Sequence, residues 1–359
     1  MGRQPQADTH PREEVSPLSS PLSYSEKVER ALPLTDSESS PPAARMPSQH
    51  DQIDTLESSE PTSDKPSWVI GVLDEVEQLL ALSFFGICGS IGRNGLVELL
   101  RFENLGSVWS NVTACFVIGL IPVLLGPTLS PVVGTGFCGA MSSFSELITD
   151  IFTQSTTPLS DWPNYGYGVP LFIARLILEV STSFTSYTVG GHAALMLRNL
   201  GYRSLDKKSE LAIRRVCEFF GLAAWVVCLV TTITSENRVR TWPLCGVFAP
   251  FGVFCRFYLS KLNTDRQWFK WGTFIANVLA TILACVCLLC LKLPSITPLQ
   301  TQMVRGFQRG FTGCFSTMST FVKEMNTMRM HHGYFYGIVS IFVGYSLAFV
   351  IVGSYIWTR

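Results

Sequence analysis

The chain has 359 residues, 47% of them hydrophobic and only 15% charged, and its 27 basic side chains balance its 27 acidic ones. Soluble domains carry about a quarter charged residues, so this composition selects a polytopic membrane protein over two or three soluble domains. A net charge of zero removes the electrostatic basis for a nucleic-acid partner.

Residues 1–67 hold ten of the 20 prolines and a single aromatic residue, Tyr24. Such a segment cannot bury enough apolar surface to order itself, and a disordered cytoplasmic tail is expected. It lacks the order of a secretory signal peptide, and MGRQPQ lacks the hydroxyl residue of a myristoylation motif. From Trp68 onward, apolar windows near the length of about 20 residues that crosses a bilayer fall at 79–97, 106–125, 131–152, 169–196, 214–235, 242–262, 270–291, 302–324 and 334–357. The expectation is an all-α polytopic membrane protein with nine spans. The third and eighth windows are the least hydrophobic, and the fifth, RRVCEFFGLAAWVVCLVTTITSE, has no counterpart.

Basic residues of short loops set orientation. Connections 198–214, 261–270 and 323–333 carry Arg198, Arg203, Lys207, Lys208, Arg214, Lys261, Arg266, Lys270, Lys323 and Arg329, whereas the opposite side carries Arg101, Arg238, Arg240 and Lys292. The N-terminus is therefore expected in the cytoplasm and the C-terminus outside. All 11 cysteines lie in apolar neighbourhoods, and the Cys287–Cys290 pair in ATILACVCLLCLKL reads as two small hydrophobes. The five histidines are too scattered to suggest a metal centre. The Asn111-Val-Thr113 sequon falls inside a span, where no glycan is expected.

Three landmarks occur twice, in the same order. Gly89-Ser-Ile-Gly-Arg93 is echoed by Gly252-Val-Phe-Cys-Arg256, Ser107-Val-Trp-Ser-Asn111 by Thr273-Phe-Ile-Ala-Asn277, and GFCGAMSSFSEL at 136–147 by GFTGCFSTMSTF at 310–321, at offsets of 163, 166 and 174 positions. This is a duplication. Four spans return a chain to its starting side, so a single extra span between two four-span units inverts the second. The expected organisation is a first four-span repeat at 68–200, a linker transmembrane helix at 201–240 and a second, inverted repeat at 241–359. Inverted repeats build a pathway at their interface.

Polar groups in lipid face a bundle interior or a water-filled path. The landmark residues are hydrogen-bond donors, and no acidic residue is read as recurring between the repeats; such a path suits a small anion. Asn111 and Asn277 allow two readings, helix–helix glue or pore lining. Arg93 and Arg256 also allow two, snorkelling to an interface or attracting an anion into a vestibule. Gly136 and Gly310 fit close helix packing as well as a special backbone. Gly139 and Gly313 point rather to a helix break. Glu146 and Glu179 are expected to have local structural roles.

These motifs resemble the fluoride channels called Fluc or CrcB in bacteria and FEX in eukaryotes, whose third-span signature is close to GFCGGLTTFSTF. The resemblance covers 79–357, and the fused double repeat looks like the eukaryotic form. It implies a passive, fluoride-selective export channel of the plasma membrane, not an enzyme, acting as a single chain in membrane lipid and conferring fluoride resistance. It implies a fluoride path of Asn111, Asn277, Ser143, Ser145, Thr317, Ser319, Thr320, Phe144, Phe321, Tyr336 and Ser340, with Arg93 and Arg256 at vestibules. It also implies a structural Na+ on the backbone carbonyls of Gly139, Ser142, Gly313 and Ser316. The family signature has two phenylalanines three positions apart. Here the first repeat keeps Phe144 but has Leu147, and the second has Met318 but keeps Phe321. In the family each pore joins the first ring of one subunit to the second ring of the other. By that pairing Phe144 and Phe321 complete one working pore, and Leu147 and Met318 line a vestigial one. In the fourth span of the first repeat, Ser181 and Ser183 are both candidates for a polar track. The alternative is a coupled inverted-repeat transporter of another small anion or solute.

Overall fold

A computed structural model of the chain describes residues 67–100, 105–156, 165–235, 239–264 and 268–358, and among them every regular element is helical. The N-terminal tail up to residue 66, with Arg101, Arg238 and Arg266, lies outside the described residues. Helix α1 runs Ser67–Leu99 and α2 Gly106–Leu124. Helix α3 joins Ser130–Val133, a π turn at Gly134–Cys138, and Gly139–Met141; α4 is Phe144–Thr156. Helix α5 is Gly168–Asn199, α6 Lys207–Thr234, α7 Thr241–Ser260 and α8 Trp271–Cys290. Helix α9 joins Pro298–Phe307, a π turn at Gln308–Thr312, and Gly313–Phe315; α10 is Ser319–Thr327. Helix α11 runs from Met330–Ala348 through a π turn at Phe349–Gly353 to Ser354–Trp357.

Seven of these (α1, α2, α5, α6, α7, α8 and α11) are long and apolar enough to cross a membrane. The third and eighth expected spans are each two shorter helices, α3–α4 and α9–α10, because the chain leaves helical geometry at Ser142 and again at Ser316. Helices also outrun the hydropathy windows. Helix α6 begins at Lys207, not 214, because Asp206 caps it: its carboxylate accepts the Ser209 amide at 3.4 Å and the Ser209 hydroxyl at 2.6 Å. Those bonds hold the Asp206 carboxyl below the usual carboxylate range. Gly201, with φ of +86°, supplies the left-handed residue that ends α5, its amide and that of Tyr202 returning to Arg198 and Leu197. Helix α9 opens on a capping box between Thr297 and Gln300, with Pro298 in the first turn.

Small residues decide the packing. A Cβ at Gly89 would lie 2.5 Å from the Phe137 carbonyl oxygen, and one at Gly252 would overlap that of Phe311. Each GxxxR glycine thus lets its first span press on the π turn of its own repeat. Gly119 and Gly190 do the same between α2 and α5, against Tyr187 and Phe116 backbone. Helix α6 packs on α1 through Gly221 and on α7 through a Trp225 Nε1 bond to the Val247 carbonyl at 3.1 Å. Its opposite face leaves Phe219, Phe220, Val227 and Ile233 exposed, as lipid contact requires. The main buried cluster gathers Phe144, Leu147, Phe152, Met318, Phe321 and Tyr336, drawing the C-terminal halves of both broken helices into one core.

Candidate functional site

The two broken helices meet at their breaks, and each break is completed by the other. Ser142 is extended (φ −103°, ψ 151°), as is Ser316 (φ −81°, ψ 163°). The Ser142 hydroxyl accepts the amides of Met318 and Ser319 at 3.2 and 2.9 Å, capping α10. The Ser316 hydroxyl accepts the amide of Ser145 at 3.1 Å, in the first turn of α4. Hydroxyl contacts tie the crossing together: Ser142 to Ser319 at 2.9 Å and Thr317 at 3.3 Å, and Ser316 to Ser145 at 2.9 Å and Ser143 at 3.0 Å. Ser143, Ser145, Thr317 and Ser319 therefore lie at one buried crossing, while Thr320 stands half-buried one turn on, near the Thr317 hydroxyl.

Both asparagines serve the breaks. Asn111 Oδ1 accepts the Ser143 amide at 2.9 Å and Asn277 Oδ1 the Thr317 amide at 2.8 Å. Their amide groups then diverge. Asn277 Nδ2 donates to the Thr317 carbonyl at 3.2 Å, whereas Asn111 Nδ2 reaches the Glu179 carboxyl at 3.4 Å. Asn111 is 1% exposed, which leaves no room for a glycan on its sequon.

The glycines are not where the helices break. Gly139 and Gly313 have helical backbone (φ −69°, ψ −30° and φ −66°, ψ −29°). They are glycines because a Cβ at Gly139 would occupy the Arg256 guanidinium and one at Gly313 that of Arg93. The arginines accordingly do not snorkel: both are buried, at 0% and 3% exposure, each crossing to the broken helix of the other repeat. Arg93 donates to the Ala140 carbonyl at 2.9 Å and to that of Arg309, with Glu146 at 3.4 Å from its Nε. Arg256 donates to the Thr135 carbonyl at 2.6 Å, but among the described residues its Nε and Nη1 meet no acceptor. The position matching Glu146 in the second repeat is Thr320, so Arg256 lacks the carboxylate that Arg93 has.

The breaks also release backbone carbonyls. In an unbroken helix Gly139, Ser142, Gly313 and Ser316 would receive the amides of Ser143, Glu146, Thr317 and Thr320. Those amides go instead to Asn111 Oδ1, Ser143 Oγ, Asn277 Oδ1 and Thr317 Oγ1.

Phe144 and Phe321 make an edge-to-face pair with centroids 5.4 Å apart, and Tyr336 lies 5.1 Å from Phe321. Leu147 and Met318 are buried in the same cluster. Ser340 donates to the Tyr336 carbonyl at 2.7 Å, so the two share one helical turn. In α5, Ser183 is fully buried and Ser181 exposed, which selects the former as the inward-facing residue. A cavity of about 200 Å³ reaches the crossing from one side, lined among others by Ser143, Ser145, Glu146, Asp150, Arg309 and Thr312.

The expectation that no acidic residue recurs between the repeats is corrected by the structure. Glu324 is held by Thr273 Oγ1 at 2.7 Å, Tyr336 O–H at 3.0 Å and Asn263 Nδ2 at 3.0 Å. In the first repeat the Ser107 hydroxyl donates to Glu179 at 2.8 Å, and Asp150 stands half-buried on the cavity wall. Asp150 and Glu324 are separated by 174 positions, the offset of the third-span signature itself. That recurrence lay just past the end of the quoted motif, and extending the comparison by three residues exposes it.

A family model described as CrcB-like protein, Camphor Resistance (CrcB), matches the chain twice, at residues 80–190 and 244–354. The chain is 31% identical over 315 residues to fluoride export protein 1 of Candida albicans, covering 76% of this chain and 78% of that one. It is 26% identical over 316 residues to fluoride export protein 1 of Saccharomyces cerevisiae, covering 70% and 84%. A fluoride-specific ion channel FluC of Psychrobacter arcticus is 32% identical over 117 residues, 32% of this chain and 94% of the bacterial one. No solved structure matches.

Proposed function

The chain belongs to the CrcB-like family, represented in it twice, and on that premise we propose that it is a passive, fluoride-selective export channel with one working pore. The relatives that carry the names fluoride export protein and fluoride-specific ion channel support this reading over a coupled transporter. The observation that carries it is the crossing itself. Two inverted halves bring their motif residues to one buried place, and only one of the two possible ring pairs, Phe144 with Phe321, is present there.

Arg256, buried and with its Nε and Nη1 free of acceptors among the described residues, puts positive charge and donors beside the break, where an anion stripped of water needs both. Ring edges carry partial positive charge, so an anion passes Phe144 and Phe321 edge-on. Tyr336 and Ser340 continue the path along α11. The four carbonyls released at Gly139, Ser142, Gly313 and Ser316 form an oxygen-donor set of the kind a hard cation such as Na+ takes. The Arg93 and Arg256 guanidinium groups against the same two glycines are like-charged neighbours that such a cation has to tolerate. A resident Na+ would supply the partner that these carbonyls lose at the breaks. Because both halves of the crossing come from one polypeptide, a single chain completes the site. It acts in the plasma membrane with its N-terminus cytoplasmic and its C-terminus outside, the side assignment resting on the basic loops. No catalytic step is involved.

The test is fluoride efflux from liposomes containing the purified protein, with chloride as control. Phe144→Ile and Phe321→Ile each abolish efflux, whereas Leu147→Ile and Met318→Leu leave it near the parental rate. Equal sensitivity at all four positions refutes the single-pore reading. Efflux that follows an imposed proton gradient and not voltage favours the transporter instead.

A further inference from the structure

We propose that Glu179 is the residue that closes the second pore, standing in for the anion by taking the donors an anion would need; this rests on the single-pore reading above. The repeat places Glu179 opposite Tyr336. Each lies four residues before a buried serine, Ser183 and Ser340. Each is tied to the span-two hydroxyl of its own repeat: Glu179 accepts from Ser107 at 2.8 Å, and Tyr336 and Thr273 both donate to Glu324, at 3.0 and 2.7 Å. Tyr336 stands beside Phe321 in the working pore. Leu147 is the counterpart of Phe321, and Leu176 and Val180, flanking Glu179, pack on the cluster holding Leu147 and Met318.

The third-span acid does not distinguish the two sides, since Asp150 and Glu324 occur in both. What differs is the balance of donors. In the second repeat one carboxyl, Glu324, receives three donors from Thr273, Tyr336 and Asn263. In the first repeat Glu179 takes both the Ser107 hydroxyl and the Asn111 amide, and Asp150 stands half-buried on the cavity wall beside it. Glu179 is 2% exposed, so no bulk water screens it. An anion entering this side finds its donors occupied and meets these carboxyls, both of which oppose it. The missing rings at Leu147 and Met318 are then a second defect in a path already shut.

The test is again fluoride efflux from proteoliposomes. Phe321→Ile alone leaves only leak; efflux that survives it refutes the single-pore reading, whatever Glu179 does. Adding Leu147→Phe and Met318→Phe returns the rings to the second pore and still gives leak, because Glu179 remains. Adding Glu179→Tyr to those substitutions restores efflux. Efflux already present before Glu179 is changed overturns the proposal. So does silence afterwards, provided that Leu147→Phe, Met318→Phe and Glu179→Tyr together keep parental efflux in a chain with Phe321 intact. If that control chain is inactive, the near-isosteric Glu179→Gln replaces the tyrosine, and continued silence with it in the Phe321→Ile chain overturns the proposal.

Discussion

A residue's identity at the crossing is set by what touches it, and Gly139 and Gly313 show this most plainly. Their backbone would suit any residue, yet each faces a buried guanidinium from the other repeat. Adding one methyl group displaces Arg256 or Arg93 from a full site, an overpacking that costs about 1–3 kcal/mol. Gly139→Ala and Gly313→Ala are therefore expected to lower the melting temperature in detergent and to abolish efflux. By contrast, Gly71→Ala, where a Cβ meets nothing within 4 Å and helix propensity favours alanine, lowers neither. A Gly139→Ala protein with parental stability and efflux refutes the packing argument. In the sequence alone both glycines point instead to a helix break. The motif shows that position 139 must be small, but only the fold shows which distant side chain makes it so.

At the scale of elements, the linker helix is more than a spacer that inverts the second repeat. Glu210, buried near its start, accepts the amides of Thr128 and Leu129 at 3.3 and 3.2 Å, holding the turn that leads into α3. Gly126 is packed against the same carboxyl group. Removing the carboxyl acceptor from these two amides, one buried and one half-buried, costs about 2 kcal/mol. Glu210→Ala is thus expected to lower the melting temperature clearly, and Glu210→Gln, which keeps one acceptor, to lower it less; identical losses, or none, refute the tie. The linker was legible as an unmatched apolar window, but its docking was not. Hydropathy began it at 214, because Lys207, Lys208 and Glu210 read as loop, and a capped helix continues through polar residues that no window counts.

On the scale of the whole molecule, the duplicated motifs are legible in the sequence, and motifs that recur in the same order occupy corresponding places in two repeats of one fold. Partners across the symmetry axis were invisible, because nothing local in Ser142 announces the amides of Met318 and Ser319. The proposed Na+ belongs to this scale, as its four carbonyls come equally from both halves. A ligand at a hundred times its dissociation constant stabilises the folded state by about 2.7 kcal/mol. Melting in sodium chloride is accordingly expected above melting in choline chloride of equal concentration, and coincident curves refute the cation site.

Reciprocal capping at Ser142 and Ser316 also bears on how the chain is made. The first repeat leaves the ribosome with the Ser145 amide at its break still awaiting an acceptor that lies 171 residues downstream. Its broken helix cannot be finished on its own schedule. Biogenesis therefore closes at a late step, when the last spans arrive, and the first half must wait in the bilayer, incomplete, until its twin has been threaded in upside down.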